Sequence, residues 1–332
     1  MSFWEAALSY KETPLSKHAV SQISTLSPDI SPPPGCEAAV VATSPADRLA
    51  VREFLEQTFG SPPHSPRLLA RFSEDDLILF SKSSSDPSVL CGCIRISYAG
   101  HFETAPIFVA DCFCIAPSLR KRGLGSYILF QIQKETSKRG MGHVIMLKES
   151  SSILDLRRPI YSSHYVFCQN SRALQDRMEQ VRSLTHQEAL SLVAIYKEMY
   201  PETFVLCAQT VSKNREILWR FWKRGLSFIL ASFQDSFQIH PQTHTAIGWA
   251  TGWLELPCPT ITATPSQEYK RQQVISAIIS SLPYDWVWAD RAWIRPTEVK
   301  GARSWQPDGP FHWYPCQWQP LIRPNGSYIL HV

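Results

Sequence analysis

No run of about 18 apolar residues occurs in the chain, so no segment reads as a membrane-spanning helix. Dense blocks of one charge are missing too. The 33 Lys and Arg residues against 29 Asp and Glu leave a net charge of +4, scattered along the chain, which speaks against nucleic acid as a partner. There is no Cys-x-x-Cys. The nine cysteines are an odd number, so neither a zinc site nor a disulfide framework is expected, and buried thiols in a reducing compartment are. Cys91 and Cys93, like Cys112 and Cys114, stand two apart in strand-like runs, so each pair is expected on one sheet face. His240 and His244 have a metal-like spacing only on a helix. Pro241 between them argues for a loop and no further ligand completes a set, so no metal is expected. The opening residues carry Glu5 and Lys11 and hold no uninterrupted apolar signal core. These absences together predict a cytoplasmic monomer without a transmembrane segment.

With 332 residues, 44% of them hydrophobic, the chain can bury the cores of two domains. Residues 1–35 are loop-like, with Pro14 and the run Pro32-Pro33-Pro34-Gly35. Cys36–Thr43 reads as a strand. Ala46–Phe59 reads as an amphipathic helix with Leu49, Val51, Phe54, Leu55 and Phe59 inward. Strands follow at 77–81, 89–98, 107–115 and 143–147. A helix over 126–138 interrupts them. After a charged connecting stretch, a helix is predicted over 186–200 with Leu190, Val193, Ala194 and Met199 on one side, and a second over Lys213–Lys223. Strands at 226–233 and 245–254, a helix at 268–281, and strands at 285–294, 312–318 and 327–332 complete the order. The pattern predicts an α/β (α+β) fold of two related domains, 1–170 and 185–332, joined by a connecting segment at 171–184.

The chain is organised around one stretch. The apolar strand Ile107–Ile115 runs into a basic, glycine-bearing turn, Leu119–Gly125, and then into the helix Ser126–Lys138. Glycines let backbone N–H groups come close to a phosphate. A helix N-terminus adds unpaired donors and a partial positive charge. Arg120, Lys121 and Arg122 add formal charge. Arg120, Gly123 and Gly125 fit Arg-x-x-Gly-x-Gly, and the turn resembles the one that GCN5-related acyltransferases (the GNAT fold) wrap around the pyrophosphate of coenzyme A.

Over nearly its whole length the chain also resembles the N-myristoyltransferases, which are two fused GNAT folds, each a mixed, mostly antiparallel sheet flanked by helices. Five places carry the likeness, in the family's order. Ser2-Phe3-Trp4-Glu5 is similar to the family's Phe-Trp-Asp opening. Cys112-Phe113-Cys114-Ile115 through Leu119-Arg120-Lys121-Arg122 is similar to its Phe-Leu-Cys-Val…Leu-Arg-Ser-Lys segment. Arg158-Pro159 through His164-Tyr165 resembles Lys-Pro…Arg-Tyr-Trp. Thr251-Gly252-Trp253 through Leu256-Pro257 to Thr260-Ile261 resembles Ser-Phe-Tyr-x-Leu-Pro-Ser-Thr-Ile. Pro310 to Tyr314 and Trp318-Gln319-Pro320 resemble its late Tyr-Tyr…Asn-Trp segment, and a short apolar tail follows.

The resemblance implies an acyl-CoA-dependent N-acyltransferase with acyl-CoA as co-substrate. Backbone N–H groups at Cys112 and Phe113 would form the oxyanion hole. Phe3 and Trp4 would cover the acyl-CoA. Cys114, Ile115, Leu119, Arg120, Lys121, Arg122, Gly123, Leu124 and Gly125 would hold it. The free carboxylate of Val332 would accept the proton of the attacking amine, a chain terminus acting as general base. His164, Tyr165, Trp253 and Asp290 would bind the acceptor, a peptide N-terminus or a small amine. Two departures fall on the acceptor half. Gly60–Pro66 lacks the family's acidic residues, and Thr262–Gln267 lacks its Tyr- and Asn-rich strand. The alternatives are a catalytically silent module that binds acyl-CoA or acyl-peptide, and a short-chain acetyltransferase.

Other residues allow two readings each. Asp111 in the apolar strand is either a buried base or a carboxylate satisfied by backbone donors. Cys112 is either an acyl-accepting nucleophile or a plain buried thiol. His331 either relays a proton beside the terminus or is a half-exposed strand residue. The tryptophans at 219, 222, 249, 253, 286, 288 and 293 belong to the core or line an acyl channel.

Overall fold

The computed structural model describes residues 30–59, 72, 74–102, 105–149, 161–170, 181–199, 217–224, 227–237, 247–256, 265–290 and 305–316. Contacts divide the chain into two compact units, the first drawn mainly from residues up to Lys148, the second mainly from Ile160–His312. None of the described helices is long and apolar enough to cross a membrane.

The first unit begins with β1 (Val40–Val41) and α1 (Pro45–Phe59). Ser44 caps α1: its Oγ accepts from the Asp47 N–H at 3.1 Å, and the Asp47 carboxylate accepts in return from the Ser44 N–H at 3.3 Å. Then come β2 (Leu77–Lys82), β3 (Leu90–Phe102), β4 (Ala105–Ile115), α2 (Leu124–Lys138) and β5 (Val144–Glu149). The strands lie in the order β1-β2-β3-β4-β5. Every neighbouring pair is antiparallel except β4 and β5, which are parallel and joined through the α2 crossover. Both faces of this sheet are covered, so β2 is buried on every residue from Leu77 to Ser81. Leu77 and Leu79 pack on Leu124, Tyr127, Ile128 and Ile132 of α2. Ile78 and Phe80 pack on Val51, Phe54 and Leu55 of α1.

The second unit repeats the device. It holds β6 (Tyr161–Gln169), β7 (Arg182–Leu184), α3 (His186–Met199), β8 (Ile217–Arg224), β9 (Ser227–Phe237), β10 (Ile247–Leu256), α4 (Pro265–Ser280) and β11 (Trp286–Asp290). The strand order is β6-β11-β10-β9-β8-β7. Again one neighbouring pair is parallel, β10 and β11, with α4 between them in sequence. Val274, Ile275, Ile278 and Ile279 of α4 close the core over Ile229, Ala231, Phe233, Val287 and Ala289. A last described strand, β12 (Trp305–Cys316), buries His312, Trp313 and Tyr314. Each unit is thus a mixed, mostly antiparallel sheet with flanking helices.

Four expectations need correction. Lys213–Lys223 is predicted as a helix, but from Ile217 to Arg224 it is strand β8. Every residue there is in register with β9, and Trp219 and Phe221 alternate into the core, the period of two that a strand requires. Leu49 of α1 points outward and is 54% exposed. The buried face of α3 is Ala189, Val193 and Tyr196; Ala194 and Met199 are exposed and Leu190 is half-buried. The first strand shrinks to Val40–Val41, with Cys36 bridged singly to Ser83.

Leu55, which is 0% exposed, and Leu49 offer a direct check on α1. Leu55→Ala should lower the unfolding free energy in urea by about 2–5 kcal/mol. Leu49→Ala should change it by no more than about 0.5 kcal/mol. Equal losses would mean that α1 presents another face to the sheet.

Candidate functional site

Strand β4 carries an irregularity at the expected place. Cys93 of β3 lies opposite Cys114, but the next pair in register is Arg95 with Asp111. Cys112 and Phe113 therefore stand against the single residue Ile94, a β-bulge. Cys112 takes φ 51, a left-handed conformation that non-glycine residues rarely adopt. Its carbonyl accepts a hydrogen bond from the Cys93 thiol at 3.5 Å. On the other side of β4, the parallel register with β5 runs only from Phe108↔Val144 to Ala110↔Met146, although both strands continue. The β5 register ends at Ala110, two residues before Cys112, and among the described residues the two bulge residues have no partner in register on either neighbour. A carbonyl oxygen bearing developing charge needs backbone donors of this kind.

A few residues on, Pro117–Leu119 forms a short 3-10 turn and the chain reverses into α2. Lys121 (φ 62) and Gly123 (φ 89) are both left-handed. Gly123 is the N-cap and no side chain caps the helix, so the first N–H groups of α2 are left for another acceptor. Arg120, Lys121 and Arg122 are exposed around them, and Arg120 Nε donates to the Ile115 carbonyl at 3.2 Å, tying the turn to the end of β4. Leu124 is buried and Leu119 packs against the same core, so these two can serve a ligand only through their main chain. A Cβ at Gly125 would lie 3.4 Å from the Phe113 ring and 3.8 Å from Ile115. The glycine thus seats the basic turn directly against the bulge strand.

Asp111 has neither of its expected fates. It is not satisfied by backbone donors alone, nor is it an unpaired base. Arg95, directly opposite, grips it with Nε on Oδ1 at 2.7 Å and Nη2 on Oδ2. The third nitrogen of the guanidinium, Nη1, lies 3.6 Å from Asp76, and Phe72 covers the group at 5.7 Å. The Arg95 and Asp76 side chains are only 5% and 3% exposed. Burial disfavours the Arg95 charge and is the largest single effect, but its acidic neighbours, Asp111 first among them and Asp76 with it, together outweigh it and hold the guanidinium above its ordinary value. Removing one member of such a buried network costs about 3–5 kcal/mol, because a charge is then left uncompensated. Nothing in the sequence reading singled out Arg95 or Asp76. The signal was there: a lone Arg in one apolar strand and a lone Asp in the next.

The thiols beside the network are inert. Burial, with the Asp111 carboxylate adding to it, pushes the Cys112 thiol far above its ordinary value. Burial also raises Cys93 and lifts Cys114 to about 11. All three stay protonated near neutral pH, which removes Cys112 as an acyl-accepting thiolate. Cys36, Cys91, Cys93, Cys112 and Cys114 are free cysteines. Cys112 and Cys114 share the α1 side of the sheet, as expected. Cys91 and Cys93 do not, because the register of β2 and β3 skips at Cys91, between Ser81↔Gly92 and Lys82↔Leu90.

No protein-family model matches the sequence, and no curated protein matches it either. The solved structures do match. N-myristoyltransferase from Saccharomyces cerevisiae with bound myristoyl-CoA superposes with a TM-score of 0.59 at 11% identity, over 94% of this chain and 90% of that one. The same enzyme with myristoyl-CoA and inhibitors gives 0.57 at 10% identity, over 94% and 87%. The fold is that of N-myristoyltransferase.

In this N-myristoyltransferase-like fold, the bulge and the basic turn come together within the first unit. Tyr165 and Asp290, expected to bind the acceptor, face each other in the β6–β11 register. His164 precedes Tyr165 on β6, and Trp253 pairs with Ala231 between β10 and β9. Trp219 is buried and Trp222 is half-buried against the α4 core. Phe3, Trp4, His240, His244, His331 and Val332 lie outside the described residues, as do Gly60–Pro66 and Thr262 to Thr264.

The left-handed backbone at Cys112 gives a sign test. Cys112→Gly and Cys112→Ala both lose the sulfur, but only glycine adopts this conformation freely. The glycine variant should be the more stable in denaturant by about 1–2 kcal/mol. An ordinary strand residue gives the opposite order, with alanine above glycine by about 0.5–1 kcal/mol.

Proposed function

We propose that this chain is an acyl-CoA-dependent N-acyltransferase that moves an acyl group directly from the thioester to an amine. What supports this most is the meeting, at Gly125, of an uncapped helix N-terminus ringed by Arg120, Lys121 and Arg122 with the Cys112–Phe113 bulge. A ligand with phosphates at one end and a carbonyl a short arm away suits that pair of sites, and acyl-CoA is such a ligand.

In the proposed reaction the coenzyme A phosphates lie against the N–H groups that begin α2 and the basic side chains of the turn. The thioester carbonyl points at the N–H groups of Cys112 and Phe113. A neutral amine attacks the carbonyl carbon, and the bulge donors hold the oxyanion of the tetrahedral intermediate. The C–S bond then breaks, the amide forms and coenzyme A leaves as the thiolate, which takes up a proton. The amine loses its proton to a carboxylate, the role proposed for Val332. No acyl-enzyme is needed, in keeping with thiols held protonated by burial. The residues proposed to recognise the acceptor, a peptide N-terminus or a small amine, are His164, Tyr165, Trp253 and Asp290.

Thermal unfolding of the chain with coenzyme A, acetyl-CoA and myristoyl-CoA at matched concentrations tests the binding half. A ligand at one hundred times its dissociation constant should stabilise the fold by about 2.7 kcal/mol. Myristoyl-CoA should raise the midpoint well beyond the other two, and Arg120→Glu with Arg122→Glu should remove most of the effect of all three. Equal shifts by coenzyme A and acetyl-CoA, with none from the long chain, would redirect the proposal to short acyl groups. No shift with any of them would end it.

A second measurement addresses the chemistry. Residues appended after Val332 should abolish release of coenzyme A in the presence of an amine panel while leaving the thermal shifts intact. Full turnover with the appended residues would remove Val332 from the mechanism. Saturable binding without product in the untagged chain would leave a binding module.

A further inference from the structure

We infer that Arg95 is a positioning residue for the oxyanion bulge: acting through Asp111, it sets the direction in which the N–H groups of Cys112 and Phe113 point. What the bulge does rests on the acyl-transfer reading above; what holds the bulge does not.

The bulge is bracketed by two cross-strand contacts. On one side are the Cys93↔Cys114 pair and the bond from the Cys93 thiol to the Cys112 carbonyl, which is a weak contact at 3.5 Å. On the other side is the Arg95–Asp111 pair, in register immediately before the extra residue. Of the two, only the second is a two-point, charge-assisted contact. A carboxylate held at both oxygens by the fork of one guanidinium cannot turn about its own axis, and Asp111 is bonded directly to the left-handed Cys112. With its side chain held at both oxygens, residue 111 has little freedom to turn, and that restricts the peptide linking it to Cys112.

The guanidinium is itself prevented from turning. Asp76 faces Nη1 at 3.6 Å and the Phe72 ring lies 5.7 Å away. Asp76 is in turn tied to α1, where Arg48 donates to its carbonyl at 3.2 Å. The chain of contacts runs from α1 through Arg48, Asp76 and Arg95 to Asp111. It lies on the α1 side of the sheet, away from α2 and the basic turn, so Arg95 can act on the bulge without touching a ligand bound at that turn. An apolar pair in these two positions would fill the same volume at lower desolvation cost but would give the backbone at position 111 no two-point hold from across the sheet. Fixed direction is what the ion pair adds.

The test compares two probes that differ only at the carbonyl: myristoyl-CoA and its thioether analogue, with CH2 in place of C=O. Dissociation constants are measured for the full chain and for Arg95→Lys and Asp111→Asn, with thermal midpoints and residue-resolved amide hydrogen exchange alongside. Lysine keeps the charge but not the fork; asparagine keeps the shape but not the charge. The unmutated chain should favour the thioester by about tenfold, the worth of about one hydrogen bond. Arg95→Lys should reduce that preference to nearly one while changing thioether affinity by less than about twofold, as befits a change confined to the carbonyl contact. Asp111→Asn should fall between.

A preference kept in both variants would overturn the inference. So would a parallel loss for both probes in step with the thermal midpoint, which is the mark of a purely structural role. If the unmutated chain binds neither probe, or both alike, the acyl-transfer reading fails, and exchange then decides the inference alone. An increase in exchange from the unmutated chain to Arg95→Lys that is larger at the Cys112 and Phe113 amides than at the rest of β4 supports positioning, and unchanged exchange there refutes it.

Discussion

Past Asp111, β4 has one residue more than β3 can match, and the surplus is absorbed at Cys112 in a left-handed conformation. That conformation costs about 1–2 kcal/mol for a residue with a side chain. It persists because the strand is pinned on both sides, by Arg95 against Asp111 and by Cys93 against Cys114 and the Cys112 carbonyl. Most of the first unit follows from this. The register of β4 with β5 ends at Ala110, just before the bulge, and the turn that opens α2 follows within a few residues. Arg120 then ties that turn back to Ile115, and Gly125 lets it approach Phe113.

Charge beside the bulge is managed by burial rather than by solvent. Asp76, Arg95 and Asp111 are largely buried, two carboxyl groups about one guanidinium. The Cys112 and Cys93 thiols are raised chiefly by burial, with the Asp111 carboxylate adding to it and Arg95 opposing it at Cys112. Burial under the sheet is thus what keeps Cys112 from acting as a thiolate nucleophile. The positive charge stays outside, on Arg120, Lys121 and Arg122, where solvent screens it and a phosphate can reach it.

How much of this was legible depended on whether local pattern and tertiary packing agreed. They agreed over 77–138. Strands bounded by polar turns, a glycine-bearing turn and a helix with one apolar face left little room for another assignment, and the bounds differ by a few residues. They disagreed at 213–223, where Lys, Arg and a cluster of large side chains suit a helix by spacing. Pairing of the whole of β8 with β9 outweighs that local preference, and Trp219 and Phe221 take strand alternation. Leu49 shows the limit of periodicity itself, for a helix stripe one residue too wide looks the same in sequence whether or not its margin meets the sheet. The site was legible where it is made of glycine, basic residues and their spacing. It was not legible where it depends on register, because Arg95 and Asp111 are 16 positions apart and face each other only through the count of residues in the β3–β4 connection.

The same distinction accounts for a fold that is recognisable in three dimensions at so low a sequence identity. A site built of catalytic side chains preserves those side chains, and the sequence carries the record. Here the groups that would bind a carbonyl and a phosphate are peptide N–H groups, which every residue but proline supplies. What such a site asks for is geometry: one extra residue in β4 and a glycine at φ 89 before α2. Many sequences meet those conditions, and each can brace the bulge with its own side chains. In this chain the brace is an arginine gripping an aspartate across the sheet. If the working groups are the main-chain atoms proposed, their direction can be set only by holding the residues on either side, and that is what such a pair does.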